Sequence, residues 1–329
     1  MTALSLGDIY QARKRLAGRV RQTPLVHSPA LSALAGGPVH LKMESHQITG
    51  SFKLRGAANA VACLDDAQRQ RGVVTASTGN HGRAVAHAAR QCGMRAVICL
   101  SSLVQQNKIQ AVRELGAEVC IHGDSQDDAL ERATRFVAEE GLVMVPPFDH
   151  PDVIAGQGTV GLEILEQLPD AGSVVVPLSG GGLLSGIALA VKSARPAMAV
   201  VGVTMEAGCA MHASLQAGHP VQVDETPTLA DSLGGGIGLD NRFTFSMVRD
   251  LCDRTLLASE SAIAAAVVHM YRQEREVVEG AAAVGAAALM EGAVKDLVSR
   301  GPMVLVVSGR NIDMARHMDL LARSASSSS

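Results

Sequence analysis

Short apolar runs that alternate with longer amphipathic stretches restrict this chain more than any other feature. Val39–Met43, Val73–Ala76, Ala96–Leu100, Glu118–His122, Val174–Leu178, Val200–Thr204 and Met303–Val307 read as strands. Several are separated by helical patterns, at Gly82–Cys92, Asn107–Leu115, Asp127–Glu140 and Leu183–Ala194. Strand–helix–strand repetition predicts βαβ units, and so an α/β fold with helices on both faces of a parallel sheet. The residues available for a core agree. Hydrophobic residues make up 47% of the chain, yet there is no Trp and only 2 Tyr. The interior must then be Ala, Val, Leu and Ile, as in a helix-covered parallel sheet. At 329 residues the chain has the length of about two domains. The expected crossing between them is Pro146-Pro147-Phe148-Asp149-His150-Pro151, where proline blocks regular structure.

A formal net charge of −3 without a basic cluster argues against nucleic acid or a membrane surface as partner. No apolar run reaches the roughly 18 residues needed to span a bilayer. The opening Met1-Thr2-Ala3-Leu4 leads into charged helix and not into a signal peptide. The 6 cysteines are scattered, with no Cys-x-x-Cys, which suits reduced thiols in a cytoplasmic protein. The serine-rich end, 322–329, reads as a disordered tail.

Lysines are few and arginine carries most of the positive charge. Lys53 lies in Ser51-Phe52-Lys53-Leu54-Arg55-Gly56, just past the turn-like Thr49-Gly50. A partly desolvated lysine can form an imine with an aldehyde cofactor, whereas arginine cannot. The plainer alternative is a solvated lysine in the first turn of a helix. Lys42 alternates with Leu41 and Met43 on a strand and is expected to pair with a carboxylate. Lys192 and Lys295 fall on helix faces that read as exposed.

The strand Val174–Leu178 runs into Ser179-Gly180-Gly181-Gly182 before a helix begins. A glycine run at a helix N-terminus binds anions, because free amide N–H groups and the helix dipole point at the ligand. Two alternatives stand beside a phosphate site. One is a tight turn, and the other is a dinucleotide site in which Glu206, closing the next strand, would hold a ribose. Ser77-Thr78-Gly79-Asn80-His81-Gly82 follows another strand and offers hydroxyls, an amide, an imidazole and backbone N–H groups for a carboxylate. A simple N-cap is the alternative there. Ser308, in Ser308-Gly309-Arg310-Asn311, stands at the carboxyl end of a strand, where open α/β sheets bind ligands.

Taken together, these residues resemble the threonine dehydratase and serine racemase family, which are fold-type II pyridoxal-phosphate enzymes of the tryptophan synthase β kind. The resemblance runs from Arg21-Gln22-Thr23-Pro24-Leu25 to Ser308-Gly309-Arg310-Asn311. It takes in Leu41-Lys42-Met43-Glu44, the Lys53 segment, the Ser77–Gly82 cluster and Val153-Ile154-Ala155-Gly156-Gln157-Gly158-Thr159. It implies pyridoxal 5′-phosphate as cofactor, held by Lys53 through an imine with Phe52 beside the ring. Asn80 would meet the phenolate oxygen, Gly180, Gly181, Gly182 and Leu183 the phosphate, and Ser308 the pyridine nitrogen, with Glu279 nearby. Ser77, Thr78, Asn80 and His81 would receive the substrate carboxylate. Lys53 is then the base for the Cα proton. Thr78 puts a hydroxyl where racemases carry a serine acting from the opposite face. A serine at the pyridine nitrogen weakens the electron sink and suits expulsion of a β-leaving group.

Within the family the chain looks closest to hydroxyectoine-utilization dehydratases. The resemblance lies in Val203-Thr204-Met205-Glu206, Ala210-Met211-His212-Ala213-Ser214-Leu215 and the glycine-rich Ala230–Asn241. The family's divalent-cation site is matched by Glu206 and Ala210, but His212 stands in place of an Asp. Hard cations prefer oxygen ligands, so such binding is weakened or lost. The resemblance implies two three-layer α/β domains with mostly parallel sheets. The large domain is expected at 1–71 and 150–321, and the small one at 72–149. It further implies a homodimer, a small amino-acid substrate, and water elimination giving a 2-oxo acid and ammonia. A racemase on the same scaffold is the alternative. No sequence follows Ser308 for a regulatory domain, so a catabolic role is expected.

Overall fold

The computed structural model describes residues 4–77, 79–104 and 106–326. Its strands are β1 (Leu25–His27), β2 (Val39–Lys42), β3 (Val73–Ala76), β4 (Ala96–Leu100), β5 (Glu118–Ile121), β6 (Val143–Met144), β7 (Ser173–Pro177), β8 (Ala199–Met205), β9 (Arg254–Ala258) and β10 (Met303–Val306). The first helices are α1 (Leu6–Leu16), α2 (Pro29–Ala35), α3 (Lys53–Ala62), α4 (Asp66–Arg71), α5 (Asn80–Gln91), α6 (Gln106–Glu114) and α7 (Gln126–Glu140). They are followed by α8 (Pro151–Gln167), α9 (Gly182–Ala194), α10 (Ala210–Ala217), α11 (Thr244–Leu251), α12 (Glu260–Arg272), α13 (Gly280–Met290) and α14 (Met314–Ser326).

Two sheets result. A 6-stranded sheet has the order β1-β2-β10-β7-β8-β9, and a 4-stranded sheet the order β5-β4-β3-β6. Every pairing is parallel except the antiparallel β1–β2 at one edge. Each sheet is sandwiched. On the larger, α12 and α13 cover one face and α8, α9 and α11 the other. On the smaller, α3 and α5 cover one face and α7 the other. Central strands β7 and β8 are buried along their whole length, which explains their continuous apolar sequence. β1, β6 and β9 carry no such run. They are short or half-exposed strands that periodicity passes over.

Helices α3, α8 and α9 pack with backbones almost touching. A Cβ on Gly156 would lie 2.5 Å from the Arg55 carbonyl oxygen, and one on Gly186 2.5 Å from the Ile154 carbonyl oxygen. The close approach brings Arg55 against α8. Its guanidinium, 1% exposed, meets Glu44 at 2.7 and 2.8 Å and Glu163 at 2.6 and 2.9 Å. Lys42, fully buried at the end of β2, completes the group on Glu163 at 2.5 Å, the carboxylate partner expected of it. Burial pushes Glu44 up, but the Arg55 guanidinium outweighs it and holds the carboxyl below the usual range.

Two expectations are corrected. The chain from 322 to 326 is helical within α14, an amphipathic helix in contact with α12, and not disordered tail. Lys192 is not a free surface charge, since it reaches Asp253 at 2.7 Å and the Met198 carbonyl at 2.9 Å. Among the described residues no helix is long and apolar enough to cross a membrane.

Removing one partner from a buried ionic group leaves uncompensated charge, at a cost of roughly 3–5 kcal/mol. Arg55→Ala is therefore expected to lower the urea midpoint of unfolding by that equivalent, with Lys295→Ala, on an exposed position, leaving it unchanged.

Candidate active site

Lys53 is the first residue of α3, and the chain before it is pinned to the end of β10. The Phe52 N–H donates to the Ser308 carbonyl at 3.0 Å, and Ser51 bridges to Gly309. Both residues of the expected Phe52-Lys53 pair thus stand at the carboxyl edge of the larger sheet. Lys53 Nζ donates to the Pro147 carbonyl at 2.8 Å and lies 5.3 Å from the Phe52 ring centroid. Burial lowers its pKa to about 8, against the opposing pull of Glu279.

Phe148, next to Pro147, connects Lys53 to the glycine loop. A Cβ on Gly180 would come 2.3 Å from the Phe148 ring, so only glycine fits there. Gly181 is in the left-handed region at φ 87° and Gly182 opens α9, with Leu183 buried behind it. First-turn amides have no intrahelical acceptor, which leaves this end open to an anion. Since β7 and β10 are parallel neighbours, the loop after β7 and Ser308 after β10 share one edge. Ser308 is buried.

Asn80 opens α5 on the smaller sheet and reaches across to the larger unit. Its Nδ2 donates to Glu279 Oε1 at 2.8 Å and Oε2 at 3.1 Å, and its Oδ1 accepts from Asn311 Nδ2 at 2.5 Å. Asn311 in turn accepts from Arg83 at 2.9 Å and donates to the Thr49 carbonyl at 3.0 Å. Arg83 and Asn311 thus support Asn80. Sequence reading assigned them no role, although Arg83 stands one turn beyond Asn80 on the same helix.

His81 takes an unexpected orientation. Its Nε2 donates to the Val145 carbonyl at 2.8 Å, and the ring is buried. Burial and then the nearby Lys53 charge lower its pKa to about 3, so it is neutral at physiological pH. A neutral ring committed to Val145 leaves the backbone N–H as the group His81 can offer a carboxylate. Ser77 is half-buried, with its carbonyl 2.4 Å from where a Cβ on Gly82 would sit. Thr78 lies outside the described residues. Glu206 is exposed just after β8, and Ala210 opens α10. His212 turns to Thr255 Oγ1 at 2.9 Å and Gln216 at 3.0 Å, away from a ligand role. Among the described residues no cluster of three or more His, Cys, Asp or Glu is arranged for a metal.

A desolvated amine beside a glycine-lined helix N-terminus suits a phosphorylated aldehyde. The sequence profile described as "Pyridoxal-phosphate dependent enzyme" matches residues 16–309. The chain belongs to that family. Pyridoxal phosphate is the cofactor of this enzyme, and the fold is fold-type II. A Sinorhizobium fredii protein whose threonine dehydratase name is provisional is 55% identical over 322 residues, covering 98% of this chain and 96% of the relative. The L-threonine ammonia-lyase of Thermotoga maritima is 43% identical over 311 residues, covering 94% and 76%. Maize serine racemase superposes with a TM-score of 0.92 at 33% identity, covering 99% of both chains. The pyridoxal-phosphate enzyme is a lyase of the threonine dehydratase type.

Only the neutral form of an amine attacks an aldehyde, and for Lys53 the neutral fraction rises with pH through about 8. In cofactor-free enzyme, the rate at which added pyridoxal phosphate develops visible absorption is expected to increase from acid to alkaline pH, with its half-rise near that value. A pH-independent rate would contradict the desolvated amine.

Proposed function

We propose that the protein removes water from a 3-hydroxy amino acid, giving a 2-oxo acid and ammonia, in hydroxyectoine catabolism. The observation that carries the reading is the partly buried Lys53 amine, held next to the loop that packs on Gly180. In this reading Gly180, Gly181, Gly182 and Leu183 hold the phosphate, Ser308 faces the pyridine nitrogen and Phe52 flanks the ring. Asn80, oriented by Glu279, meets the phenolate oxygen. When bound, the cofactor supplies an electron sink for charge developing at Cα. The α5 N-terminus, with Ser77, Thr78, Asn80 and the His81 N–H, receives the substrate carboxylate. Lys53 takes the Cα proton, and the β-hydroxyl departs as water. Hydrolysis of the dehydrated product releases ammonia.

A substrate larger than threonine is supported by the segment that sets this chain apart. Ala230–Asn241 begins against Gly280, where a Cβ would lie 2.2 Å from the Leu229 carbonyl oxygen. Beside it is a cavity of about 330 Å³ lined by Thr226, Asp231, Gly234, Gly235 and Arg316. Asp231 and Arg316 also line a smaller cavity, of about 140 Å³, that reaches Glu279 and Asn311. Both cavities therefore adjoin the altered segment, and the smaller one is lined by the Glu279 that holds Asn80. The same reading assigns 1–71 with 150–321 to a large domain and 72–149 to a small one, and pairs two chains in a homodimer. Light scattering on the purified enzyme is expected to give the dimer mass.

Likeness to maize serine racemase favours racemisation as the second reading. Lys53→Ala is expected to abolish both the visible cofactor band and oxo-acid release from threonine, serine, 3-hydroxyaspartate or hydroxyectoine breakdown products. Chiral analysis separates the two readings, since D-amino acid without oxo acid would replace the lyase by the racemase.

A further inference from the structure

The fold brings together two cysteines that the sequence keeps apart. β4 and β5 are neighbouring parallel strands whose register sets Cys99 opposite Cys120. Opposed residues point to the same face, and both join the apolar patch under α7 with Ala129, Ala133 and Phe136. Neighbouring strands lie about 4.8 Å apart, inside the roughly 4.4–6.8 Å over which disulfides join Cα atoms.

The two sulfurs are not equivalent. Cys99 is fully buried, whereas Cys120 is half-buried on the edge strand. The Arg132 guanidinium on α7 lies 4.2 Å from the centroid of the Phe136 ring, which packs in the same patch. Cys120 is the sulfur a small disulfide can reach, and burial, with Cys120 beside it, pushes the Cys99 thiol up to about 12, so Cys120 is the attacker and Cys99 the resolver. The row continues towards the site. Cys99 is itself opposite Ala76, the last residue of β3, and the connection to α5 starts with Ser77.

We propose that Cys99 and Cys120 form a reversible disulfide whose closure shifts the end of β3 and weakens substrate binding at the α5 N-terminus. The oxidant is a low-molecular-weight disulfide such as oxidised glutathione. Cys120 attacks one of its sulfurs, and the first glutathione leaves as thiolate. Cys99 then attacks the Cys120 sulfur, gives up its proton to that thiolate, and expels the second glutathione, which takes a proton from water. The pair has lost two electrons and the small disulfide has gained them.

Holoenzyme equilibrated over graded ratios of reduced and oxidised glutathione, alkylated and mapped by mass spectrometry, tests the idea. A Cys99–Cys120 cross-linked peptide is expected, with a severalfold higher KM for the turned-over hydroxy amino acid and little change in kcat. A dithiol should reverse both. Cys120→Ser is expected to keep the KM of reduced enzyme and to ignore the oxidant, while Cys99→Ser should stop at a mixed disulfide on Cys120. Both cysteines alkylated at every ratio would overturn the proposal, and so would a cross-link that leaves KM unmoved. The KM measurement rests on the proposed reaction, whereas the cross-link needs no substrate. A cross-linked protein that turns over no hydroxy amino acid upholds the disulfide and faults the reaction.

Discussion

Two residues beyond Lys53, a guanidinium almost sealed from water holds the structure around the site in place. Arg55 spans Glu44, which follows β2, and Glu163 on α8, and Lys42 closes the group from β2 itself. Charge buried this deeply is tolerated only when fully paired. The pairing therefore fixes α3 relative to both the larger sheet and α8. Lys53 begins α3 and Pro147 lies just before α8, so the same ionic group aligns the amine with the carbonyl that receives it.

Lys53 and Glu279 show how this scaffold sets chemistry. Burial works against a protonated amine, and Glu279 only partly offsets it. Glu279 also engages the Asn80 amide and the Asn311 N–H. One carboxylate thus orients a residue of the smaller sheet, anchors the turn after β10 and tempers the lysine. Movement between the two sheets would act on all three.

The residues of the candidate site that the sequence singled out carry local signals. A lysine in Ser-Phe-Lys-Leu-Arg-Gly, a triple glycine after an apolar strand and a polar cluster at a helix start are local signals with local physical causes. The direction of the His81 ring had no local signal, because it depends on Val145, far away in sequence. Arg83 went unassigned because an arginine one turn into a helix is ordinary until Asn311 is found beside it. Lys192 looked exposed for the same reason, Asp253 being invisible from its own helix.

Periodicity and residue type determined by themselves the α/β class, the buried central strands and the aliphatic core. They act over a few residues, so a single chain displays them. Only the tertiary structure decided which carboxylate met Lys42, which side chains braced Asn80, and that Cys99 would face Cys120. Those outcomes depend on strand order and register, where residues far apart in sequence are set side by side by burial of surfaces that no local window contains.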